Sequence, residues 1–68
     1  MELSVNGKAT TGTSGDTLAA LLGRYEITSA SAGVAVALND TVVPKRKWET
    51  TRLNERDNIE IIHAVQGG

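Results

Sequence analysis

The sequence predicts a two-layer α+β domain in which a single helix packs on one face of a small mixed sheet, in the order β-β-α-β-β-β. Three observations carry that expectation. Two short extended runs flank Asn6-Gly7, one leucine stripe has helical spacing, and the second half alternates in β-branched and small apolar residues. The 68 residues suit one domain. A chain of this size buries only about 60 % of its unfolded surface, enough for a modest core and little room for a catalytic cleft.

Met1 to Val5 places Leu3 and Val5 on one face and Glu2 and Ser4 on the other, as in a half-buried strand. Asn6-Gly7 is the strongest short signal for a two-residue hairpin turn, because both residues tolerate positive φ. Lys8 to Thr11 is then the return strand. Thr11 to Asp16 reads as a loop whose Ser14 or Asp16 caps the following helix. Leu18, Leu21, Leu22 and Tyr25 fall at i, i+3, i+4 and i+7, predicting a helix of about three turns that Gly23 helps to end.

Residues 26 to 33 form a connection with Ile27 packed beneath it. Val34 to Leu38 follows as an inner strand, apolar on both faces. Asn39-Asp40 turns the chain into Val42-Val43-Pro44, and Pro44 belongs at a strand end or edge. Lys45-Arg46-Lys47 before Trp48 has two readings, a solvated edge with a Trp lid on the core or a docking site for an acidic partner. Thr50 to Leu53 is a short extended or turning stretch, Glu55 to Asn58 is a polar turn, and Ile59 to Val65 is the last strand. Ile59 and Ile61 are expected to face the core. Ile62 and Ala64, with the alanines of the third strand, form a candidate docking patch on the opposite face, or else scattered small residues on a solvated one.

Composition removes several functions. Seven basic against eight acidic residues leave a formal charge of −1, so nucleic-acid binding has little electrostatic support. No apolar run approaches the ~20 residues of a membrane span, and no signal-peptide pattern is present, which makes a cytoplasmic location the expectation. With no cysteine there is no disulfide, no thiolate metal site and no thiol nucleophile. His63 is the single histidine and reads as a surface residue. The acids show neither metal-ligand spacing nor a catalytic pairing, and Gly12 and Gly15 lack the Lys-Ser/Thr of a phosphate loop.

The remaining distinctive chemistry is at the end, Ala64-Val65-Gln66-Gly67-Gly68. A strand pattern runs almost to the last residue and stops in two glycines. Without Cβ atoms, Gly67 and Gly68 can thread a narrow passage and approach a reactive centre closely. Free α-carboxyls titrate at roughly 3.3–3.7, so the group on Gly68 is ionised at neutral pH. Residues 1–65 are expected to form the domain and 66–68 a flexible tail, although loose glycines at a terminus are also common in their own right.

Val34-Ala35-Val36-Ala37-Leu38-Asn39, Val43-Pro44, Trp48, Leu53, Asp57, Ile59-Glu60-Ile61 and the closing Ala64-Val65-Gln66-Gly67-Gly68 together resemble the ThiS family, the ubiquitin-like sulfur carriers of thiazole formation in thiamine biosynthesis. The N-terminal half joins the resemblance through the hairpin, Leu18 and Leu21-Leu22. Arg56 departs from it, since the family usually has Gly before the acid, and this bears on the turn before the last strand.

The resemblance implies the β-grasp fold and a chain that is a protein co-substrate rather than an enzyme. A ThiF-type adenylyltransferase related to ubiquitin-activating enzymes would use ATP and Mg²⁺ to adenylate Gly68. A persulfide donor fed by a cysteine desulfurase would then convert it to a thiocarboxylate for a ThiG-type thiazole synthase. Gly67 would be the slim spacer, with Gln66 and Val65 contacting partners. The chain itself would bind no cofactor or metal and, when free, would be a monomer. Three alternatives stay open: a MoaD-type small subunit of molybdopterin synthase, a ubiquitin-like protein modifier, and an interaction domain with an incidental Gly-Gly end.

Overall fold

A computed structural model describes residues 1–64. Among them the chain runs β1 (Glu2–Val5), β2 (Lys8–Thr11), α1 (Leu18–Gly23), β3 (Val34–Leu38), β4 (Thr41–Val42), a 3-10 helix over Lys45–Lys47, and β5 (Asn58–His63). The five strands form one sheet in the order β2-β1-β5-β3-β4. The β1–β5 pair is parallel and the other three are antiparallel. This matches the order predicted from sequence, with the helix on one face.

Asn6 at φ 51° and Gly7 at φ 82° make the first turn, as two-residue hairpins require. Asn6 has a second task. Its backbone N–H donates to the Ile59 carbonyl at 2.9 Å, and its side-chain Oδ1 accepts the Ile61 N–H at 2.7 Å. The parallel ladder between the first and last strands is thus prolonged by a side chain after β1 has turned away.

The helix is shorter than its leucine spacing suggests, six residues instead of three turns, and its cap is neither Ser14 nor Asp16. Thr17 is the N-cap, its Oγ1 accepting the Ala20 N–H at 3.2 Å. The Asp16 carboxylate turns back to the Thr13 N–H. The other free N–H groups of the first turn are satisfied by backbone. Leu18 donates to the Thr51 carbonyl at 2.8 Å, Ala19 to the Trp48 carbonyl at 3.0 Å and Leu21 to the Thr17 carbonyl.

At the other end Gly23 is not the terminator. Arg24, Tyr25 and Glu26 donate to carbonyls three residues back, Ile27 donates to the Leu22 carbonyl, and Glu26 takes φ 60°. This is a Schellman-type stop with Glu26 where glycine is usual, sealed by contact of Ile27 and Leu22 in the core. The tightened last turn swings Tyr25 off the leucine stripe, and it ends 41 % exposed.

The core lies between the helix and one sheet face. Leu18, Leu21 and Leu22 pack on Leu3, Val5, Val36, Ile59 and Ile61, and Ile27, Trp48 and Leu53 close the edges. Trp48 is not a lid. It is fully buried, and its indole N–H donates to the Val43 carbonyl at 2.9 Å. Lys45–Lys47 accordingly forms a one-turn helix rather than a strand edge, because Trp48 must be turned inward after Pro44.

Asp57, a buried acid, ties β5 to two turns. One carboxylate oxygen accepts the Asn54 N–H at 2.7 Å and the other the Asn39 side-chain amide at 3.0 Å, while Asn39 Oδ1 accepts the Asn58 N–H at 2.9 Å. The turn before it keeps the left-handed conformation that glycine would favour, with Arg56 at φ 66° and its N–H donating to the Glu2 carbonyl.

Two outcomes follow for urea denaturation. Left-handed backbone costs an L-residue about 1–2 kcal/mol, and glycine returns part of that as unfolded-chain entropy, about 0.4–1 kcal/mol. Arg56→Gly is therefore expected to stabilise the protein by about 0.5–1 kcal/mol, and an unchanged or lower midpoint would contradict the strain. Asp57→Ala removes the charged acceptor of two part-buried hydrogen bonds, from the Asn54 N–H and the Asn39 amide, and is expected to cost about 2–3 kcal/mol; a loss below ~0.5 kcal/mol would show that the network is not stabilising.

Candidate functional site

The sheet face away from the helix carries the candidate docking residues. Along β5 the side chains alternate, so Ile59 and Ile61 enter the core while Glu60 and Ile62 point outward. Ile62 is directly opposite Ala35 on β3 and is 48 % exposed. Beyond β5, the Ala64 N–H donates to the Gly33 carbonyl at 2.7 Å, extending the ladder by one bond. Gly33, Val34, Ala35, Ile62 and Ala64 line a shallow groove of about 280 Å³ with a mostly apolar surface.

The structure therefore brings Ile62 and Ala64 together, and Ala35 joins them. The other alanine of the third strand does not. Ala37 sits between Val42 and Glu60 in register and is buried. Gly33 and Val34 were not singled out from sequence. Gly33 reads as loop, and Val34 belongs by alternation to the core face. What brings them to the groove is the antiparallel β3–β5 register, which sets Val34 opposite His63.

The described residues contain no catalytic constellation in the usual sense. Asp57 is the buried charged residue, and both its oxygens are occupied by the turns it holds. His63 is exposed at the end of β5. No group of three or more His, Cys, Asp or Glu residues that could hold a metal occurs among the described residues, and no helix there is long and apolar enough to cross a membrane. Val65, Gln66, Gly67 and Gly68, the residues to which the sequence assigns the chemistry, lie outside the described residues. What the structure does define is their point of attachment. Ala64 follows β5, which lies between β1 and β3 at the middle of the sheet.

One helix on a five-stranded mixed sheet, with its first and last strands parallel at the centre, is the β-grasp architecture of ubiquitin-like proteins. A model of the ThiS family matches residues 3–68, and the chain belongs to that family. It is similar over the whole of both chains to a crystal structure of a thiamine biosynthesis protein (ThiS) from Geobacter metallireducens, with a TM-score of 0.81 and 31 % identity. An NMR solution structure of a thiamine biosynthesis protein from the same organism gives a TM-score of 0.77 and 30 % identity over all of this chain and 88 % of that one. The uncharacterized protein ycf40 is 40 % identical in Porphyra purpurea and 45 % in Pyropia yezoensis, in each case over 38 residues, 56 % of this chain and 54 % of the relative. The match thus spans about half the length of those curated relatives.

Alternation on β5 makes a sharp contrast between neighbours. Ile62→Ser is expected to change unfolding free energy by less than ~0.5 kcal/mol, whereas Ile61→Ala should cost about 2–4 kcal/mol. Thermal denaturation of the two variants checks it, and equal losses would mean that Ile62 is a core residue.

Proposed function

We propose that the protein is a sulfur carrier for thiazole formation in thiamine biosynthesis, acted on by partner enzymes rather than catalysing a reaction itself. The observation that supports this best is the family match running through Gly67-Gly68, together with an exposed apolar groove at the root of that segment. The described residues offer scaffold and surface. The reacting group of the proposal is the α-carboxylate of Gly68.

In this reading a partner adenylyltransferase brings the Gly68 carboxylate to the α-phosphorus of Mg²⁺-bound ATP. Pyrophosphate leaves and an acyl-adenylate forms. Activation is needed because an oxide ion is a poor leaving group from a carboxylate, whereas AMP is a good one. The terminal sulfur of a persulfide, supplied through a cysteine desulfurase, then attacks the carbonyl carbon and expels AMP. The acyl persulfide becomes a thiocarboxylate only if a thiol breaks its S–S bond, a two-electron reduction. This chain has no cysteine, so that thiol belongs to a partner. The thiocarboxylate sulfur is finally delivered to thiazole synthase. Gly67 keeps the approach slim, Val65 and Gln66 contact the partners, and Ile62 with Ala64 supplies the apolar part of docking.

The test is the intact mass of the protein incubated with its adenylyltransferase, ATP, Mg²⁺ and a persulfide donor. A species heavier by the difference between one sulfur and one oxygen is expected. It should be missing when Gly68 is deleted or Gly67 is replaced by Trp, with the fold of both variants unchanged by circular dichroism. Thiocarboxylate on the Gly68-deleted protein would refute the assignment, and an isopeptide-linked ladder in cell extracts would favour a protein modifier.

A further inference from the structure

The basic triplet is not absorbed by that reading. Lys45-Arg46-Lys47 holds three of the seven basic residues of a chain whose net charge is −1. The fold displays it on a firm mount. The buried Trp48 anchors one side through its bond to the Val43 carbonyl. The Lys47 carbonyl accepts the Thr51 N–H at 3.0 Å and the Thr51 hydroxyl at 2.7 Å. Lys45 reaches across to the Ser31 carbonyl. Among the described residues the hydrogen-bonded cationic side chains are Arg24, Lys45 and Arg52; of the four others, Lys8, Arg46, Lys47 and Arg56, all exposed, only Arg46 and Lys47 are neighbours in the chain.

Register then fixes where this charge lies. β4 runs back along β3, with Ala37 opposite Val42 and the Val43 N–H donating to the Val36 carbonyl. Continuing through Pro44, the chain reaches the end of the sheet where β3 begins. Lys45 is bonded there to Ser31, two residues before Gly33, and Gly33 is the residue that receives the Ala64 N–H. The positive turn therefore starts at the same end of the sheet as Ala64, the last described residue.

We infer that Arg46 and Lys47 dock against an acidic protein surface bordering the entrance through which a partner admits the glycine tail. The inference rests on the carrier reading and adds the partner's charge to it. Exposed charges of this kind act chiefly on encounter rate and orientation, and salt screens them. A small overall negative charge argues against nucleic acid as the occupant, since no wider basic surface supports phosphate contacts.

The experiment is ATP–pyrophosphate exchange by the partner adenylyltransferase, with the carrier varied, for the wild type and for Arg46→Glu/Lys47→Glu. Both positions are exposed, and circular dichroism confirms folding. The expected result is a KM for the carrier about tenfold higher in the double variant, with kcat unchanged and a flatter dependence of KM on salt. Equal KM values and equal salt dependence would overturn the docking inference alone. No exchange with the wild type would overturn the carrier reading, and this inference with it. Retention of the wild type but not the variant by a labelled single-stranded RNA at the same salt would overturn the acidic-protein partner in favour of nucleic acid.

Discussion

The parallel pairing of β1 with β5 is the constraint on which the rest of the structure depends. It joins the two ends of the described chain, since Val5 is in register with Ile59. Closing so long a loop is entropically costly before any contact compensates. The pairing is correspondingly reinforced beyond its ladder. Asn6 supplies a side-chain acceptor where β1 has ended, and Arg56 and Ser4 add bonds on the other side of the register. With β5 central, β1 and β2 can lie only to one side of it and β3 and β4 to the other. The last described residue, Ala64, therefore follows a central strand and is held there by the Gly33 carbonyl on the β3 side.

That arrangement leaves one short helix, with Ile27, Trp48 and Leu53 at its edges, to cover the inner face. A six-residue helix is not stable alone in water, because nucleation is unfavourable and few bonds repay it. Its stability is tertiary. Three fully buried leucines seat it on the sheet, and its first two N–H groups are taken by carbonyls of Trp48 and Thr51. The segment carrying Trp48 is thus both a wall of the core and the cap of the helix. The same segment presents the basic turn, so surface charge and core packing there are mechanically coupled.

The strand order and the core were legible from sequence because period-two alternation and the leucine stripe report burial directly. The β-branched β5, the Asn6-Gly7 hairpin and the outward position of Ile62 all follow from local pattern. What was not legible depends on residues distant in sequence. Local sequence points to Ser14 or Asp16 as the helix cap, whereas the cap is Thr17 together with carbonyls some 30 residues later. Local sequence points to Gly23 for the exit from the helix, but a positive φ at Glu26 makes it, a conformation carried by a residue type that does not advertise it. Arg56 is a similar case, and there the family pattern was the better guide: the conformation that glycine would favour persists without the glycine. The groove was half legible. Alternation supplied Ile62, Ala64 and Ala35, while only the cross-strand register could remove Ala37 and add Gly33 and Val34.

The size of the groove bears on how such a protein would work. Stable pairs of proteins bury roughly 800 Å² on each partner, and five small or aliphatic residues around about 280 Å³ of space cannot supply that alone. A carrier that visits one enzyme to be charged and another to be discharged gains nothing from tight binding to either, because slow release would hold back each transfer. Modest apolar contact sets a short residence time, and charge beside the exit speeds encounter without lengthening it much. Selectivity can then rest on threading, since only a chain end without side chains passes a narrow entrance. Under the proposed carrier role, a body recognised briefly by each partner would leave the specificity of every transfer to the chain end that it presents.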